Sequence, residues 1–128
     1  MGTGKEQAEL WGPGARDWSD YNEPMCTPFY QAVLDAAGVG AGTALLDAGC
    51  GGGFALLLAA RRGAVVSGFD VTPALLDIAR ERVPGASLTT TDLEEPLPYP
   101  LTRAFAGSRT PDAAYRQENI FRYLVARV

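Results

Sequence analysis

Ala44-Leu45-Leu46-Asp47-Ala48-Gly49-Cys50-Gly51-Gly52-Gly53-Phe54 is the stretch that decides the fold. A short apolar run ends in an acid and empties into a glycine-rich turn. Ala55-Leu56-Leu57-Leu58-Ala59-Ala60-Arg61-Arg62 follows at once and is rich in helix formers. A buried strand at 44–48, a tight turn and a helix over about 53–62 are therefore expected. Glycine takes positive φ freely and lets a ligand come close to the backbone, and the free N–H groups of a helix start face that ligand. The acid at the strand end adds an acceptor for ammonium or hydroxyl groups. Together these features predict a nucleotide-cofactor site.

The glycine spacing narrows the cofactor. A dinucleotide fingerprint needs G-x-G-x-x-G after the strand, and counted from Gly49 the third glycine would fall on Phe54. A phosphate-binding P-loop needs Gly-Lys-Ser/Thr, which does not follow. The spacing present is D-x-G-x-G-x-G, from Asp47 through Gly49, Gly51 and Gly53.

Outward from this loop the same alternation continues. Gly63 ends the helix, with Arg61 and Arg62 in its last turn to complement the dipole. Ala64–Asp70 reads as a second buried strand that again ends in an acid. Thr72-Pro73 is an N-cap with proline at the first helical position, opening a helix over 73–83 whose packed side carries Leu75, Leu76, Ile78, Ala79 and Val83. Ala86–Thr91 is a weaker third strand closed by Asp92. Strand, helix, strand, helix, strand predicts right-handed crossovers and a parallel, Rossmann-like α/β sheet. Such sheets bind ligands outside the carboxyl ends of their strands, where Asp47, Asp70 and Asp92 all fall. A carboxylate at Asp70, 23 positions after Asp47, can accept both hydroxyls of a ribose diol.

These residues resemble motif I and the two following motifs of the class I S-adenosylmethionine-dependent methyltransferases, of the small-molecule, methyltransferase type 11-like kind. The resemblance runs from about Trp18 to Tyr99. It implies that Gly49, Cys50, Gly51 and Gly53 hold the methionine part of S-adenosylmethionine, with Asp47 at its ammonium end. It further implies that Asp70 holds the ribose, Val71 packs on the adenine, and Asp92 with Leu93 reads the adenine edge. Cys50 otherwise reads as a small residue chosen for fit. The implied activity is methyl transfer to a small-molecule acceptor by in-line attack on the sulfonium, where positioning dominates. The alternative is a non-catalytic or degenerate cofactor-binding module, and the sequence does not separate the two.

Composition bounds the partners. The chain of 128 residues suits one domain, and its net charge of −4 argues against a nucleic-acid backbone or an anionic membrane surface. It has no membrane-span pattern, no signal-peptide core, two distant cysteines, Cys26 and Cys50, and no histidine. A Cys/His metal site is thus excluded, the commonest general base is missing, and a cytoplasmic protein with free thiols is expected.

Residues 1–26 are expected to form an N-terminal cap and 27–128 a single cofactor-binding α/β domain. The first 24 residues hold too little apolar surface for a core of their own, and by resemblance Trp18 and Tyr21 border the site. No catalytic base can be named; Asp17, Asp20 and Tyr21 are candidates by proximity to the cap. Thr27-Pro28 opens a helix with Phe29, Val33 and Ala37 on one face and Gly38 after its end. Beyond Tyr99 the family's fourth- and fifth-strand patterns are missing, so much of the second half of the domain is expected to be lost. Residues 115–127 alternate over Phe121, Tyr123 and Val125 and resemble the family's closing antiparallel strand. That strand could fill a vacant place in its own sheet or in a neighbour's, so a homodimer is expected.

Overall fold

The structure, a computed structural model, describes residues 3–92. Three parallel strands, β1 (Ala44–Ala48), β2 (Val65–Asp70) and β3 (Ser87–Thr90), form a sheet in that order. The register pairs Asp47 with Gly68 and Asp70 with Thr90, so the acidic ends of the strands lie side by side. The crossovers are α4 (Phe54–Arg61) and α5 (Pro73–Arg82), preceded by α3 (Thr27–Ala36). Each strand and crossover helix falls within one residue of its expected bounds, as hydrophobic patterning and the Gly63 and Pro73 boundaries dictate. The expected strand over 115–127 lies outside the described residues.

The core is built where α4 and α5 press on β2. Leu34, Leu56, Val66 and Leu76 are buried together with Cys50 and Ala59. At roughly 1.5–3 kcal/mol for each large side chain removed from water, this cluster is the main local source of stability. Two glycines are demanded by it. A Cβ on Gly68 would stand 2.9 Å from that of Cys50 and 3.0 Å from Leu56 Cδ1. One on Gly53 would stand 2.8 Å from the Ala79 Cβ, so α4 can start beside α5 only through a glycine.

Three expectations need correction. Strands β1 and β2 are not uniformly buried: Ala44 is exposed, the rest of β1 is half-buried, and Val65 is 70% exposed. The reason for β1 is position, since among the described residues it pairs with β2 alone. The buried residue of α3 is Leu34, beside the expected face of Phe29, Val33 and Ala37, which is half-buried. Thr27 is not the cap of that helix but its first residue, and its hydroxyl donates 2.5 Å to the Pro24 carbonyl.

The N-terminal segment is a series of short helical pieces, with a turn over residues 12–14. It comprises α1 (Gly4–Trp11), a single turn α2 (Ala15–Asp17), a wide π turn over Trp18–Asn22 and a 3-10 turn over Glu23–Cys26. As expected it leans on the domain: Ala15 and Trp18 pack on Leu75 and Ile78 of α5. An exposed Arg16–Glu81 ion pair at 3.0 Å adds little to that apolar contact. Trp11 meets Trp18 edge to face, with ring centroids 5.1 Å apart.

Candidate functional site

A cleft of about 600 Å³ opens at the carboxyl ends of the strands. Its floor is the loop that leaves β1. Gly49, Gly51 and Gly53 take φ of +80°, +52° and +76°, so every second residue is in the left-handed region that L side chains avoid. The loop folds back on β2: the N–H groups of Gly49 and Cys50 both donate to the Phe69 carbonyl, at 2.8 and 3.0 Å. Gly53 N–H closes a turn onto the Cys50 carbonyl at 2.9 Å. The space a Cβ on Gly49 would occupy is open, so the backbone there faces the cleft directly.

Two carboxylates hold the rest of the loop. Asp70 Oδ2 accepts the Gly51 N–H at 2.9 Å while its Oδ1 accepts the Thr72 N–H at 2.8 Å. The end of β2 is thereby tied both to the loop and to the start of α5. Glu23 Oε1 accepts the Gly52 N–H at 3.2 Å, and its other oxygen pairs with Arg82. The loop amides from Gly49 to Gly53 are therefore satisfied by protein acceptors. What the cleft presents instead is carboxylate oxygen.

The electrostatics follow from that. Asp47 as a whole residue is half-buried, but its carboxyl is deeply surrounded by protein. Desolvation, then the carboxylates of Asp70 and Glu23, push it up to about 6. Burial and the same neighbours push the Cys50 thiol up to about 12, which leaves it protonated and no nucleophile at neutral pH. Tyr30 is raised to about 12 by burial, then by Glu23, Cys26 and Asp47. A site of converging carboxylates favours a cationic ligand group, because a positive charge relieves all of them at once.

Of the expected site residues, Asp47, Gly49, Cys50, Gly51, Asp70, Val71, Asp92 and Trp18 line the cleft. Gly53 does not; it sits against Ala79 beneath the loop. Tyr21 does not either: it is 71% exposed and turned away, because the wide turn over Trp18–Asn22 points Trp18 inward instead. Asp17 and Asp20 are exposed and outside the lining, so proximity in sequence did not bring any of the three candidate bases to the cleft. Leu93 lies outside the described residues.

Among the contributors not foreseen, four shape the loop and the cleft end. Glu23, Arg82 and Tyr30 come from segments far from the loop in sequence. Gly4, at the start of α1, is the fourth: a Cβ on it would stand 2.0 Å from Asp92 Oδ2 and 2.9 Å from Val71 Cγ2. Helix α1 is thus seated against the same two residues that close that end of the cleft. Its glycine is the only sequence signal, and one glycine near a chain end carries little information.

Comparison with known proteins agrees with this geometry. Residues 45–107 match the family model of a methyltransferase domain. A TehB-like S-adenosylmethionine-dependent methyltransferase from Corynebacterium glutamicum is similar in structure, with 27% identity and a TM-score of 0.50, over 75% of this chain and 48% of that one. The magnesium protoporphyrin IX methyltransferase of Synechocystis shares the fold, with a TM-score of 0.59 at 21% identity, over 76% of this chain and 58% of that one. In sequence, the magnesium-protoporphyrin O-methyltransferase of Rhodobacter capsulatus is 49% identical over 43 residues, 34% of this chain and 19% of the relative. The chain spans 19% to 33% of the length of the curated relatives it matches. The parallel sheet, the acid-glycine loop and the match to a methyltransferase-domain model thus coincide over one stretch of the chain, residues 45–107.

Proposed function

We propose that the cleft binds S-adenosylmethionine and that the chain supplies the cofactor-binding part of a methyltransferase acting on a small-molecule acceptor. The observation that carries this is the placing of Asp47, Asp70 and Asp92 at the ends of three adjacent parallel strands, around one cleft floored by a left-handed glycine loop. The residues fit the cofactor. Asp70 has one lone pair on each oxygen engaged and one on each left, which suits the two hydroxyls of a ribose. Asp47 and its acidic neighbours suit the ammonium and sulfonium charges. Val71 and Asp92 offer an apolar surface and an acceptor for adenine. Once bound, the cofactor supplies an activated methyl group; the chain's own residues orient it and offset its charge.

A small-molecule acceptor is supported by the relatives, which are named for magnesium-protoporphyrin and for demethylmenaquinone. The N-terminal segment 1–26 then acts as a cap, since Trp18 and Gly4 border the cleft. The edge of β1 is open among the described residues, which supports completion of the sheet by a further strand, from this chain or a second copy.

Calorimetric titration tests the central part. The chain is expected to bind S-adenosylmethionine and its demethylated product more tightly than NAD or ATP; tighter binding of NAD would overturn the proposal. Transfer of labelled methyl to a panel of small acceptors then separates an enzyme from a binding module.

A further inference from the structure

The glycine loop does not hold itself. Gly51, Gly52 and Gly53 are three consecutive residues with the widest conformational freedom, and ordering each of them is costly. The backbone on both sides of Gly52 is gripped from outside. Its N–H donates to Glu23 Oε1 at 3.2 Å, and its carbonyl accepts from Arg82 Nη1 at 2.9 Å. Glu23 and Arg82 are themselves ion-paired, and Arg82 also donates to the Ser19 carbonyl. The pair is well shielded, with side chains 4% and 18% exposed. The Arg82 guanidinium lies over the Phe54 ring, 5.6 Å from its centroid, which fixes its plane at the start of α4.

A buried ion pair stabilises a fold little more than a well-packed apolar pair would. What this one adds is an acceptor and a donor on the two sides of a single glycine. We propose that Arg82, acting through Glu23, is a positioning residue that sets the Gly51–Gly53 backbone for the amino-acid end of the cofactor. Arg82 does not line the cleft, so it acts on the ligand only through the loop and Glu23. This rests on the S-adenosylmethionine reading given above, and it extends that reading to a residue at the far end of α5.

The test compares wild type with Arg82→Met, which keeps length and apolar stem but removes every donor. Three quantities are read: affinity for S-adenosylhomocysteine, affinity for adenosine, and the exchange rate of the Gly52 amide. Adenosine lacks the amino-acid end and therefore reports the remainder of the cleft. The expected result is a loss of at least tenfold for S-adenosylhomocysteine, less than twofold for adenosine, and faster exchange at Gly52. An equal loss for both ligands would show a merely structural role and overturn the proposal, as would unchanged affinity and exchange. Should Arg82→Met fail to fold, Arg82→Lys keeps the charge that Glu23 faces while losing the fork that reaches Gly52 and Ser19, and is read in the same way. If wild type binds neither ligand, the cofactor reading fails and the positioning role with it, while Gly52 exchange still shows whether the pair holds the loop.

Discussion

Replacing Asp47 with Asn should move stability and binding in opposite directions. In the folded chain this carboxyl is pushed up to about 6, from an ordinary value of 3.8, by desolvation and by Asp70 and Glu23. Between those two values the native state holds more protons than the unfolded chain, so stability falls as pH rises from about 4 to about 6 and is level above. At 1.36 kcal/mol per pKa unit, the ionised carboxylate costs the free protein up to about 3 kcal/mol at pH 7.5. The same linkage leaves only about 1 kcal/mol of that cost at pH 4.5, where most native chains carry a neutral Asp47. Asn is nearly isosteric and carries no charge. Urea denaturation of Asp47→Asn should therefore show a gain of roughly 1–3 kcal/mol at pH 7.5 and a clearly smaller gain at pH 4.5. Affinity for S-adenosylmethionine should fall by about 1.5–3 kcal/mol, the worth of a hydrogen bond to a charged group. A variant less stable than wild type at pH 7.5, or one with the same gain at both pH values, would refute the reasoning.

Three further substitutions probe other parts of the site. Gly51→Val forces a β-branched side chain to φ of +52°, so S-adenosylhomocysteine binding should be lost while circular dichroism still reports a folded chain; retained binding would show that the glycine serves only the turn. Ser19→Ala should stabilise by about 1 kcal/mol in urea denaturation, because the Ser19 hydroxyl is fully buried with no hydrogen-bond partner among the described residues. Gly4→Val places a Cβ onto Asp92 and should undock α1, seen as a change in tryptophan emission when Trp11 leaves Trp18. With α1 no longer against Val71 and Asp92, that variant should bind adenosine at least as tightly as wild type by calorimetry.

The sheet and the acids at its edge were legible because they rest on short-range signals. Asp47, Asp70 and Asp92 each close an apolar or β-forming run; Gly63 and Pro84 mark where the helices between them stop, and Pro73 marks where the second one starts. A parallel βαβ topology then places all three at one end with no further information. The Glu23–Arg82 pair was not legible, because its partners are 59 residues apart and each looks like an ordinary surface charge in its own segment. Tyr21 and Trp18 lie three positions apart in an aromatic stretch, and only the wide turn over Trp18–Asn22 decides which of them faces inward. The anchoring of the loop amides was illegible for a related reason. Glycine spacing announces a backbone that can approach a ligand, but it does not say which protein carboxylates already occupy its N–H groups.

A crystal structure of the chain grown with S-adenosylhomocysteine tests the central claim most directly. The cofactor product should lie in the cleft with its ribose hydroxyls on the Asp70 carboxylate, its adenine beside Val71 and Asp92, and its ammonium group toward Asp47. Density for the nucleoside anywhere else on the chain, or an empty cleft at saturating ligand, would contradict it.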